Sequence, residues 1–167
     1  MAVACKRVKH NPQALVHEQN TPFVSIVNMN DPAASPQLVR GFYQVENGLW
    51  RWTMKQFQVA LKPPPGSAQK GARLTFKFTI PEVISSRLGP ITLNAAINGV
   101  PLPPETYKKP GDYVFARDVP ASALLKDDAV IAAFTSDKAI PPSPNDAREL
   151  ALVAVSVGLE SRATDAK

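Results

Sequence analysis

With 167 residues, 44% of them hydrophobic and 20% charged, the chain has the size and composition of one globular domain, which excludes wholesale disorder. Its net charge is +5 at pH 7; beyond residue 20 only 16 basic residues stand against 13 acidic ones. Scattered charge of that size, with no clustered basic face and no interleaved aromatics, excludes nucleic acid as the expected partner, and no apolar run approaches the roughly 18 residues of a membrane span.

Residues 1–20 read as a flexible polar tail containing Lys6, Arg7, Lys9 and both histidines, His10 and His17. The opening "MAVACKR" resembles the end of a bacterial lipoprotein signal, in which small residues precede a cysteine that becomes lipidated; the charged and apolar leader regions do not precede it here. Cys5 is the only cysteine, which excludes an intrachain disulfide and a CxxC or zinc cluster. A lipid on Cys5 would make residues 6–20 a tether between membrane and domain, the one expected membrane contact.

Residues 21–160 read as a single β domain. "FVSIV" is β-rich and "NMNDPAASPQ" after it is a loop. "GFYQVE", "LWRWT" and "FQVALK" follow as strands, divided by Asn47-Gly48 and by a break near residues 54–56. Asn-Gly between β-rich runs predicts a hairpin joining Phe42 to Val45 with Leu49 to Thr53. Residues two apart on a strand share a face, so Trp50, Trp52 and Met54 point one way, Arg51 and Thr53 the other.

"ARLTFKFTI" alternates most clearly, with Leu74, Phe76, Phe78 and Ile80 on one side, as a half-buried strand does. "ITLNAAIN" repeats the pattern and leads through Asn98-Gly99 into "VPLPP", a second hairpin. "DYVFARDV" and "AVIAAFTS" supply two more strands, and "ELALVAVSVGLE" a last one that is apolar on both faces and therefore central. "PEVISSRL" and "PASALL" predict one or two short helical turns with proline at the start. The 17 prolines fall mainly between apolar runs, as in "KPPPGS" and "AIPPSPND", where strand proteins tolerate them. Residues 161–167 read as a frayed end. The predicted fold is all-β: an antiparallel β-sandwich of jelly-roll type with about eight or nine strands.

The order of "GFYQVENGLWRWT", "LGPITLNAAINGVPLPPETY" and "AIPPSPNDARELALVAVSVGLE" resembles a bacterial jelly-roll module of the galactose-binding-like kind, found beside glycosyltransferase and esterase domains and in envelope proteins. The resemblance spans residues 41–160 and is carried by Arg51, Trp52 and Thr53, by Asn98 and Gly99, and by Asp146, Arg148 and Leu150. Ala151 stands where that pattern usually has glycine. The resemblance implies a sugar-related or cell-surface setting, at the cell envelope or outside the cell.

Two readings of the tryptophans stay open. Indole faces stack on the apolar C–H faces of sugar rings, and they also fill cores; Trp52 reads as core and Trp50 is left between the two. Glu46 and Arg51 are expected near each other across the first hairpin, on the face opposite the indoles. Asp146, Arg148 and Glu149 form a second charged group before the last strand. Arginine forks carboxylates with good geometry, so these groups either brace the ends of the sheets, as the resemblance implies, or clamp a sugar. The candidate ligand-binding set is Trp50, Glu46, Arg51, Asp146 and Arg148. Asn28, Asn30 and Asp31 offer oxygens at alternate positions, but Asn, Asp and Pro together are also turn chemistry and no bidentate glutamate follows, so no metal or other cofactor is expected. With no nucleophile elbow, phosphate loop or His-Glu-x-x-His run, no catalytic residue is expected either. The expected role is a non-enzymatic binding or adaptor module at the bacterial cell envelope with a glycan as ligand. The alternative is a structural subunit that contacts copies of itself or a protein partner through sheet edges or faces.

Overall fold

Period-two alternation drives the chain into strands, and every pairing between them is antiparallel. The computed structural model describes residues 22–125 and 128–162; the tail with Cys5, His10 and His17, and residues 163–167, lie outside the described residues. In chain order the strands are β1 (Ile26–Asn28), β2 (Leu38–Glu46), β3 (Trp50–Leu61), β4 (Ala72–Ile80), β5 (Ile91–Ile97), β6 (Val100–Tyr107), β7 (Gly111–Val119), β8 (Val130–Ser136) and β9 (Val153–Ser161). Among the described residues, helix is confined to α1 (Ser67–Lys70), α2 (Glu82–Leu88) and 3-10 turns at Pro32–Gln37 and Ala121–Leu124.

The strongest sequence signals land where expected. Burial alternates residue by residue along β4 and β5. α2 and the second 3-10 turn fall on "PEVISSRL" and "PASALL". β9 is central, flanked by β4 on one edge and by β3 and then β1 on the other. Residues 32–37, expected as loop, instead wind into a 3-10 turn because the Asp31 carboxylate accepts from Ala33 N at 2.9 Å and Pro32 presets the first residue.

The break expected near residues 54–56 is absent, and β3 runs for 12 residues. It stays extended because β2 pairs with it from Leu38 opposite Val59 to Glu46 opposite Trp50. On the other edge its partner changes: β9 at Arg51 and Trp52, β8 from Gln56 to Leu61. Lys55 and Gln56 therefore mark a fork in the wall rather than a turn. β1 lies beside β9 at residues 156–158, and Val24, just before it, accepts through its O from Lys62 N at 3.1 Å.

The strands form one sheet in the order β6-β5-β8-β3-β9-β4-β7, with β1 on β9 and β2 on β3. Its two end strands, β6 and β7, share no backbone ladder. Pro101, Pro103 and Pro104 leave β6 without the N–H groups a ladder needs. Side chains close the gap: Arg117 donates to Pro103 O at 2.8 Å, Pro104 O at 3.2 Å and the Glu105 carboxylate at 3.1 Å, while the Tyr107 and Tyr113 rings meet at 4.5 Å. The Tyr107 hydroxyl donates to Glu105, and burial first, then the neighbouring Glu105 charge, keep this phenol protonated far above the ordinary range. The two separate sheets of the expected sandwich are thus replaced by a single nine-stranded sheet that nearly closes on itself.

Inside the wall, Phe57, Phe76 and Phe134 form a fully buried triangle with ring centroids 5.5, 5.1 and 4.9 Å apart. Truncating any one to alanine would cost roughly 3–5 kcal/mol. Two local devices hold β2 against β3 away from their turn. Gln37, only 4% exposed, donates its side-chain amide to Ala60 O at 2.8 Å and Val24 O at 3.0 Å and accepts from Val24 N at 3.0 Å, replacing strand pairing where β1 approaches. At Gly41 (φ +82°) the β2 backbone comes so close to β3 that a Cβ would lie 2.1 Å from Gln56 O.

Candidate functional site

The β2–β3 hairpin reverses at Asn47 (φ 50°) and Gly48 (φ 63°), closed by Leu49 N donating to Glu46 O at 3.0 Å. Both left-handed residues are what a type I′ turn requires. A plain two-residue hairpin would pair Glu46 with Leu49 and place Glu46 and Arg51 together, opposite the indoles. The strands instead pair Glu46 with Trp50 and Val45 with Arg51, leaving Leu49 as an extra, exposed residue between turn and ladder. A one-residue slip exchanges faces. The expected placement of Glu46 is therefore corrected: it lies on the face of Trp50.

Arg51 does not meet Glu46. Its Nε donates to Met29 O at 3.0 Å and its Nη1 to Tyr43 O at 3.1 Å, so it braces β2 and the segment after β1 through main-chain carbonyls. That use of the guanidinium separates Arg51 from the other members of the predicted ligand set.

Asp146 and Arg148 sit on the connection between β8 and β9, which prolines keep from becoming a strand. The connection is cinched by a bridge between Ile140 and Leu150 and by a turn in which Ser143 N donates to Asp146 O at 2.7 Å. Within it Asp146 accepts from Arg148 three times, from the backbone N, Nε and Nη2, each at 3.0 Å. Arg148 Nη1 then reaches Glu46 Oε1 at 2.5 Å, joining residues 102 positions apart in the chain. The hydrogen bonds from Arg148 hold the Asp146 carboxyl below the ordinary aspartate value, and the two carboxylates raise the Arg148 value in turn. The three side chains remain 34–39% exposed, so solvent reaches the cluster.

Glu149, expected in the same group, turns away: its carboxylate accepts from Lys55 N at 3.1 Å and its own N–H donates to the Tyr43 hydroxyl at 3.0 Å. Tyr43 is the residue that sequence reasoning passes over. It lies under the Arg148 guanidinium at 5.5 Å and so links β2 to this connection twice. The aromatic pair in "GFYQVE" is its only local signal.

The two indoles separate in role. Alternation along β3, with Thr53 fully buried and Met54 exposed, puts both on the outer face of the wall. Trp52 lies opposite Val153 and packs against the core, as expected for it. Trp50 is half-buried, does not pack against the core, and stands directly across from Glu46. Glu46 Oε2 and one N–H on each Arg148 Nη have no protein partner among the described residues. An aromatic face beside an unfilled acceptor and two unfilled donors can hold a ligand that is apolar on one side and hydroxylated at its rim.

The other candidate features have different uses. Asn28 pairs with Ser156 and Asp31 caps the 3-10 turn, and among the described residues no group of three or more His, Cys, Asp or Glu could hold a metal ion. A hollow of about 880 Å³ lies along β5 and β8, lined by Ala96 and Ala133 together with the polar side chains of Gln58, Asn98, Ser122 and Asp128. No described helix is long and apolar enough to cross a membrane. Compared with known proteins, the chain matches no family model and no curated protein.

Proposed function

We propose that the protein is a non-catalytic binding module that takes a carbohydrate at the hairpin end of its wall. The observation that carries this reading is the register, which sets Trp50 and Glu46 side by side on the outer face, with Arg148 bonded to Glu46 and Asp146 bonded to Arg148. A sugar ring would lay its C–H face on the Trp50 indole and bond its hydroxyls to the charged cluster. The resemblance to galactose-binding-like modules favours a jelly-roll ancestry and a setting at the bacterial cell envelope, with Cys5 as the lipid-bearing anchor. Affinity electrophoresis in gels containing soluble polysaccharides tests the site. The wild type is retarded, while Trp50→Ala runs with the unretained control and keeps its unfolding midpoint. Equal and negligible retardation of both proteins rejects the reading.

A second reading, assembly with copies of itself or with a protein partner, draws on the edge strand β2, where Val39 and Val45 are 48% and 40% exposed. Three register shifts interrupt the β2 ladder and three prolines interrupt β6, and both devices blunt strand edges. The carbohydrate reading is therefore preferred. Light scattering over a concentration range separates the two, since a defined oligomer would favour assembly.

A further inference from the structure

Resting on the carbohydrate reading, we propose that the ligand is a neutral glycan held through two adjacent hydroxyls by the Glu46–Arg148 pair. Asp146 gives both carboxylate oxygens to Arg148, so it orients the guanidinium and is not itself a contact for ligand. Glu46 gives only Oε1, which leaves Oε2 as an acceptor. Arg148 has spent Nε and one N–H on each Nη, which leaves one donor on each Nη beside Glu46. An acceptor and a donor fixed side by side by an ion pair match a vicinal diol: one hydroxyl donates to Glu46 while its neighbour accepts from Arg148. Charged ligands fit poorly. Glu46, Asp146 and Glu149 are balanced by Arg51, Arg148 and Lys55, so no net positive field draws in an anion. Arg148 already holds two carboxylates, and a third would face Glu46 across the same fork.

The experiment uses the full chain in affinity gels with neutral polysaccharides (mannan, galactomannan, β-glucan), anionic ones (alginate, polygalacturonate), and each retained polymer after periodate oxidation and borohydride reduction, which cleave vicinal diols. Retardation on a neutral polymer, lost after oxidation, is expected, together with about a tenfold weakening in Glu46→Gln at an unchanged unfolding midpoint. Retardation only on anionic polymers, retention that survives oxidation, or full affinity in Glu46→Gln overturns the diol inference and leaves the carbohydrate reading standing. Absence of retardation on every polymer overturns both.

Discussion

Replacing Gln37 by leucine tests how the chain fastens β1 to the wall. Leucine matches glutamine closely in volume, so little cavity is made, but three hydrogen bonds are lost. Two of them involve Val24, which is 47% exposed, and water can replace the side chain there at a cost of about 0.5–1 kcal/mol each. The third involves the carbonyl of Ala60, 4% exposed, which is left without this partner at about 1–3 kcal/mol. The sum is about 3 kcal/mol, which for a domain of this size lowers the unfolding midpoint by roughly 10 °C. Urea titration gives the free energy, and an unchanged slope shows that the unfolded state is the same. Hydrogen exchange supplies the local readout, because the Val24 amide loses its acceptor and its protection. A loss below about 1 kcal/mol with the Val24 amide still protected would refute the assignment of Gln37 as the clasp.

Gly41→Ala forces a side chain onto a left-handed backbone 2.1 Å from Gln56 O; a loss of at least about 3 kcal/mol by urea titration is expected, and one below about 1 kcal/mol would show that β2 relaxes there freely. Deleting Leu49 leaves Asn47-Gly48 as a two-residue turn with Glu46 still opposite Trp50, so stability changes by less than about 1 kcal/mol and glycan retention persists; loss of both contradicts the register argument. Arg148 lowers the Asp146 value on folding, so this pair adds stability above the ordinary aspartate range that is lost as pH falls through the lowered value. Below about pH 4 the wild type therefore destabilises more steeply than Asp146→Asn, an effect that salt reduces; parallel pH curves would count against it.

The parts legible in the sequence are those decided locally. β4 and β5 read correctly because each presents one face to the interior, which writes an alternation of period two into "ARLTFKFTI" and "ITLNAAI". Asn47-Gly48 and Asn98-Gly99 read as reversals because both need left-handed backbone. The fork in β3 left no such mark, since it depends on β9 yielding to β8 far along the chain. The slip at Leu49 was equally hidden: turn chemistry marks where a hairpin reverses and leaves open how many residues precede its first rung. One clue to the closing seam stood in plain view. Arg117 falls in phase with Phe115 and Val119, and Glu105 with Tyr107, placing charge on the inward side of both end strands. The Glu46–Arg148 contact, by contrast, joins two distant segments that only the finished fold brings together.

Because β3 pairs with β9 through one half and with β8 through the other, the two sides of the wall share a strand. Neither side can be lost while the other keeps its full set of partners. The molecule is thereby built as one cooperative unit: probes placed near the Phe57 triangle and near Trp52 should report a single, coincident transition. A wall divided between two independent sheets would permit one to melt ahead of the other. The shared strand ties the geometry around Trp50 to the integrity of the whole core, so a glycan bound there would stabilise every strand at once.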